Sequence, residues 1–113
     1  MSDVESFFDT SVLLYLLSAD AKKADRVEEL LGQSGVISVQ VLNEFTAVAT
    51  RKLGLSFTEV REVLGAVRVL CDTQPLTVAH HDKGVEIAER YRFSFYDSVI
   101  IASALLAGCK MLY

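Results

Sequence analysis

Three acidic residues are set into apolar runs where a carboxylate gains little from solvent. They are Asp9 in Phe-Phe-Asp-Thr-Ser, Glu44 in Val-Leu-Asn-Glu-Phe, and Asp97 in Phe-Ser-Phe-Tyr-Asp-Ser-Val-Ile-Ile. At the edge of a core each would be partly desolvated, which favours its neutral form unless a positive charge is near. If the fold gathers them, their like charges need a counter-cation, and for an all-oxygen donor set that cation is a hard metal such as Mg2+ or Mn2+. Thr10, Ser11, Asn43 and Ser98 add polar groups beside the same three positions. Each acid also has a plainer explanation. Asp9 can cap the helix that follows it, Glu44 can pair with a buried arginine, and Ser94-Phe-Tyr-Asp97 has the spacing of a capping box.

Other candidate groups are weaker. His80 and His81 are sequence neighbours, and adjacent residues on a helix do not face each other, so the pair reads as a solvated first turn. Arg51 lies seven residues after Glu44 on the same helix face and could meet a phosphate, or could be a solvated charge beside Lys52. The chain has no His-Glu-x-x-His, no glycine-rich phosphate loop and no Gly-x-Ser-x-Gly. Zinc hydrolysis, nucleotide binding and serine acyl chemistry therefore lack support.

The elements that must carry these residues alternate. Val4 to Phe8 reads as a short buried strand ending at Asp9, and Val12 to Leu17 as a helix apolar on all sides. Asp20 starts a charged amphipathic helix through Leu31, halted by Gly32 and Gly35, and Gly35 to Val39 gives a second strand. Ser38 caps a helix to about Leu53, stopped at Gly54, with Glu44 inside it. Ser56-Phe-Thr-Glu59 is a capping box opening a helix with the stripe Phe57, Val60, Leu64, Val67 and Cys71, which Pro75 ends. Leu76 to Val78 reads as a third strand, then a helix runs from about Ala79 to Tyr91. An apolar helix covers Tyr96 to Ala107, closed by Gly108, and Lys110 to Tyr113 begins a fourth strand. Such alternation predicts an α/β fold of three α/β/α layers on a central parallel sheet, with ligands at the carboxyl ends of the strands, where Asp9 lies.

The 113 residues fit one domain, and a content that is 51% hydrophobic and 23% charged excludes disorder. With a mean hydropathy of +0.34, the surplus apolar surface points to a homodimer or partner face, for which Val12 to Leu17 and the Phe57 to Cys71 helix are the candidates. A net charge of −4 excludes a broad electrostatic grip on nucleic acid, so any such contact must be local. Cys71 and Cys109 form no Cys-x-x-Cys pair, which fits structural thiols in a reducing cytoplasm. The longest apolar stretch, Val99 to Cys109, is shorter than the ~18 residues a membrane span needs, and no basic leader precedes a long apolar run, so neither secretion nor membrane insertion is expected.

The segments Phe-Phe-Asp-Thr-Ser-Val-Leu-Leu-Tyr-Leu-Leu, Ser-Val-Gln-Val-Leu-Asn-Glu-Phe and Ser-Phe-Tyr-Asp-Ser-Val-Ile-Ile-Ala-Ser-Ala-Leu-Leu-Ala-Gly-Cys, in this order, resemble the PIN domain, particularly VapC-like toxin ribonucleases. The resemblance spans essentially residues 1–113. It implies an endoribonuclease dependent on Mg2+ or Mn2+, in which Asp9 and Asp97 hold the metal and Glu44 completes the shell directly or through water. Arg51 and Arg92 would then supply positive field for the scissile phosphate. An RNA substrate, a protein antitoxin and a homodimer are implied with it. The family usually carries a further acid beyond the strand after its last apolar helix, and the sequence stops at Tyr113 before that point, so the expectation is a PIN-like domain short of the family's C-terminal end and of one metal ligand. Two other functions remain open: an inactive PIN-like interaction module, and phosphotransfer through an aspartyl phosphate at Asp9. Against the latter, Ser11 stands where a haloacid-dehalogenase nucleophile would be followed by its second acid.

Overall fold

The computed structural model describes residues 5–113. Four short strands, β1 (Ser6–Phe7), β2 (Gly35–Ser38), β3 (Asp72–Gln74) and β4 (Met111–Leu112), form one parallel sheet in the order β3-β2-β1-β4. Ser6 is in register with Gly35 on one side and Met111 on the other, while Val36 pairs with Asp72. The two central strands are buried along their whole length, as expected of a sheet covered on both faces.

The helices are α1 (Thr10–Leu13), α2 (Ala21–Leu31), α3 (Val39–Arg51), α4 (Phe57–Leu70), α5 (Val78–Tyr91) and α6 (Phe95–Leu106). The chain runs from β1 outward to β2 and β3, then back past both to β4, and the right-handed crossovers that parallel strands favour put α5 and α6 on the face opposite the helices of the first two connections. The core is built from Phe7, Phe8, Leu13, Ile37, Val41 and Phe45, all fully buried, with Val60 and Val67 of α4 and Ile100 of α6 closing it. Two glycines are demanded by close approach. A Cβ on Gly35 would stand 2.6 Å from the Leu31 carbonyl oxygen, and one on Gly84 would stand 2.7 Å from Cγ2 of Val99, where α5 rests on α6.

The capping signals held: Asp20 accepts from the Lys22 N–H, Ser38 from Val41, and Ser56 with Glu59 forms both halves of a capping box. Gly108, just past α6, has φ +74, the left-handed conformation that ends a helix without a Cβ penalty. The start of the first strand, expected at Val4, lies outside the described residues, among which β1 covers Ser6–Phe7. Three expectations need correction. The expected helix at Val12 to Leu17 divides, because α1 tightens after Leu13 into a 3-10 turn over Leu14–Leu17 that keeps three leucines half-buried against the core while Tyr15 faces solvent. The third strand is Asp72–Gln74, not Leu76 to Val78. Its polar residues sit at the sheet edge and pair with Val36, Ile37 and Ser38, whereas Pro75 lacks the N–H to extend the ladder and Val78 already begins α5. Accordingly α4 stops at Leu70, where Cys71 turns extended, and not at the proline.

Candidate metal centre

Asp9 stands where the chain leaves the carboxyl end of β1, beside β4, where the strand order reverses and open α/β sheets place their ligands. Its backbone is extended at φ −75, ψ 159, and its N–H donates to the Tyr113 carbonyl at 2.9 Å, fixing the residue between two strands. One carboxylate oxygen accepts the Thr10 N–H at 2.7 Å, so Asp9 does cap α1. The other accepts the Ser11 hydroxyl at a long 3.4 Å and still faces solvent on one side.

Glu44 arrives from β2 by way of α3. Ser38 starts that helix, and Phe45 and Val41 lock it against the core, which turns the half-buried Glu44 toward α1. There Thr10, itself buried, donates its hydroxyl to Glu44 Oε1 at 3.0 Å. Among the described residues no arginine or lysine pairs with Glu44, the surface pairs being Arg26 with Glu29 and Lys83 with Glu86. Burial raises the proton affinity of Glu44 above that of an ordinary glutamate. The Thr10 hydrogen bond opposes this, and the charges of Asp9 and Asp97 add to it.

Asp97 lies in the first turn of α6, exposed to solvent. The Ser94 hydroxyl caps its N–H at 3.3 Å, but among the described residues no bond runs back from the Asp97 carboxylate. The expected capping box is therefore only half formed, and the carboxylate is left for other work. Ser98, expected to add a polar group here, is fully buried and satisfied by the Ser94 carbonyl at 2.8 Å.

The fold thus brings Asp9, Glu44 and Asp97 from β1, α3 and α6 into one field. They do not form a closed cage: among the described residues no group of three or more His, Cys, Asp or Glu side chains converges closely enough to hold a metal ion. The donor chemistry nevertheless fits a hard divalent cation. Every group is a carboxylate or hydroxyl oxygen, and Glu44, penalised first by burial and then by the charges of Asp9 and Asp97, has no cationic side chain paired with it among the described residues.

This imbalance has a consequence for stability. Because its folded value is raised, Glu44 favours the folded state when protonated, below the ordinary glutamate range, and that contribution is lost as pH rises through the folded value. Glu44→Gln, which keeps an oxygen for Thr10, should unfold at a higher temperature than wild type at pH 7 in EDTA. The difference should close below about pH 4. A thermal melt series from pH 4 to 8 reads this directly, and a lower melting temperature for the variant at pH 7 would contradict it.

Among the described residues the other sequence candidates, the histidines and arginines, make no bond to the three acids. His81 is exposed as expected, but His80 is buried, with Nδ1 accepting the Thr77 N–H at 3.2 Å, and so serves the start of α5 instead of standing in solvent. Arg51 is exposed near the end of α3, and Arg92 ends α5 in the left-handed conformation at φ 59. One residue of structural consequence was missed. Gln40, buried one turn before Glu44, donates its amide to the Tyr96 carbonyl at 3.1 Å and ties α3 to the residue preceding Asp97. The only available signal was an amide at the i−4 position of Glu44 in an apolar helix.

A family model described as PIN domain matches residues 6–113. No curated protein matches the chain by sequence. Among solved structures, Mycobacterium tuberculosis VapC20, described as a Sarcin-Ricin loop cleaving toxin, superposes with a TM-score of 0.72 at 20% identity. That match covers 96% of this chain and 88% of VapC20. A toxin-antitoxin complex from Klebsiella pneumoniae gives a TM-score of 0.75 at 18% identity, covering 96% of this chain and 85% of the other.

Proposed function

The chain belongs to the PIN domain family, and from that membership we propose that it is a Mg2+- or Mn2+-dependent endoribonuclease, the toxin of a toxin-antitoxin pair. The observation that carries the reading is the placement of Asp9 at the carboxyl edge of the parallel sheet with Glu44 held beside it by Thr10, close enough to Asp97 to feel its charge. Structural likeness to a toxin that cleaves the Sarcin-Ricin loop supports RNA as the substrate class.

Asp9 and Asp97 would hold the cation, with Glu44 completing the set directly or through water. Bound there, the ion would supply Lewis-acid polarisation of a phosphoryl oxygen and a water of lowered pKa. Thr10 orients Glu44 through its 3.0 Å hydrogen bond, and the Asp9 cap holds its carboxylate against the end of β1. Glu44, held by Thr10 and with its proton affinity raised by burial, is the group we assign to take a proton from an attacking water. The Ser11 hydroxyl reaches Asp9 only at a long 3.4 Å, and among the described residues no histidine stands beside it as a base, so we assign the attack to water, without a covalent intermediate. Arg51 and Arg92 are the cations proposed to meet phosphates.

For a partner, the groove between α3 and α4 has a volume of about 490 Å³ and is lined by Leu42, Phe57, Val60 and Leu64, with Arg61 and Arg68 at its rim. An amphipathic helix carrying acidic residues fits that chemistry, and we assign the antitoxin to it, in keeping with the toxin-antitoxin neighbour. Exposed Val69 and Leu70 on the same helix offer surface for a homodimer. Among the described residues no helix is long and apolar enough to cross a membrane. Both cysteines are free, with burial pushing the Cys71 thiol up to about 11, which suits a reducing cytoplasm.

The test is cleavage of purified transfer and ribosomal RNA. Defined fragments should appear with Mg2+ or Mn2+ and disappear with EDTA. RNA left intact under all metal conditions, or cut equally in EDTA, would overturn the proposal.

A further inference from the structure

The turn from α5 to α6 carries an unusual surface. Tyr91, Phe93, Phe95 and Tyr96 all stand exposed, Tyr96 at 65%, within six consecutive residues. Their rings are ordered against one another. Tyr91 and Phe93 stack at 5.8 Å with an interplanar angle of 19°, Phe95 lies 5.8 Å from Tyr96, and His81 meets Phe95 edge-on at 5.6 Å. The Arg90 guanidinium covers the Tyr91 ring at 5.4 Å, and Arg92 turns the corner at φ 59, in a conformation that costs a non-glycine residue energy. Residues 90–96 read Arg-Tyr-Arg-Phe-Ser-Phe-Tyr, two positive charges and no acid, in a chain of net charge −4.

Exposed rings in this number are costly unless something covers them. Aliphatic patches such as Val69 and Leu70 suit a protein partner, whereas flat rings interleaved with arginine are the chemistry of single-stranded nucleic acid, in which each base offers a stacking face and each phosphate a charge. The patch is also continuous with the acidic centre. Tyr96 directly precedes Asp97, and the Gln40 bond to the Tyr96 carbonyl anchors this corner to the helix that carries Glu44.

We propose that the α5–α6 corner, Tyr91, Phe93 and Tyr96 with Arg90 and Arg92, is a stacking platform that holds unpaired RNA bases next to the scissile phosphate. This rests on the ribonuclease reading and names the residues that grip the bases. A paired A-form helix keeps its bases stacked on each other and cannot offer them to the rings.

The experiment is fluorescence anisotropy with a labelled single-stranded oligoribonucleotide and the same strand in a duplex, using the full chain as Asp9→Asn so that RNA is bound but not cut. The single strand should bind at least about 5-fold tighter than the duplex. Phe93→Ala and Tyr96→Ala should each weaken single-strand binding by about 5-fold or more, while Tyr96→Trp restores it. Both positions are exposed, so circular dichroism should report unchanged folding. Single-strand affinity unchanged in both alanine variants overturns the platform, even where wild type cuts RNA. Variants that change only the sedimentation mass would instead make the corner a self-association surface and overturn it too. Wild type that neither binds nor cuts any RNA would overturn the ribonuclease reading itself, and the platform with it.

Discussion

Asp9→Asn should lower metal-dependent RNA cleavage by at least about 100-fold while leaving the protein folded. Even groups that only support metal ligands typically cost 10- to 100-fold on removal, and Asp9 is assigned as a ligand. The substitution separates the residue's two tasks. An asparagine side-chain oxygen still accepts the Thr10 N–H and keeps α1 capped, but the charge that would attract a cation is gone. Asp97→Asn should act alike, because Ser94 and not Asp97 caps α6 and the lost charge–dipole interaction is worth about 0.3–1 kcal/mol. Quantified fragment yield over time, beside a thermal melt, reads both effects. Wild-type rates in either variant would remove these carboxylates from the reaction.

The largest effect on stability is expected one residue after Glu44. Phe45 is fully buried among Phe7, Leu13, Ile37 and Val41, and it holds α3 against the sheet. Phe45→Ala should destabilise the chain by about 3–5 kcal/mol, from lost transfer energy and the cavity left behind. A domain of this size has only about 5–15 kcal/mol in total, so the urea midpoint should fall steeply. Phe57 supplies the control. It is 65% exposed at the mouth of the α3–α4 groove, and Phe57→Ala should shift stability by no more than about 0.5 kcal/mol while weakening antitoxin binding. Equal losses from both substitutions would mean that α3 is not anchored as described.

What could be read from the sequence follows from how local each signal is. Asp9 was legible because a buried strand and a helix start meet at one residue. The α4 capping box, the Ser38 cap and the glycine after α6 were legible because each is complete within a few residues. β3 was not. Asp72-Thr73-Gln74 has one strand-favouring residue, Thr73, beside a disfavoured aspartate and pairs with β2, while Leu76 to Val78 looks more strand-like but follows a proline. Burial of His80 was missed because its partner Thr77 belongs to the same turn and leaves no mark in periodicity. The acids were singled out one at a time by their apolar settings. Their mutual influence, the Thr10 bond to Glu44 across 34 positions and the Gln40 bond across 56, are tertiary facts with no local trace.

The central claim is that Asp9, Glu44 and Asp97 serve one divalent ion. Calorimetric titration of the metal-free chain with Mn2+ tests it most directly, with Asp9→Asn and Asp97→Asn titrated alongside. Saturable binding to wild type, with affinity lost by about 10-fold or more in each variant, is the expected result. Binding of equal strength in all three proteins, or no binding to wild type at millimolar Mn2+, would contradict the account.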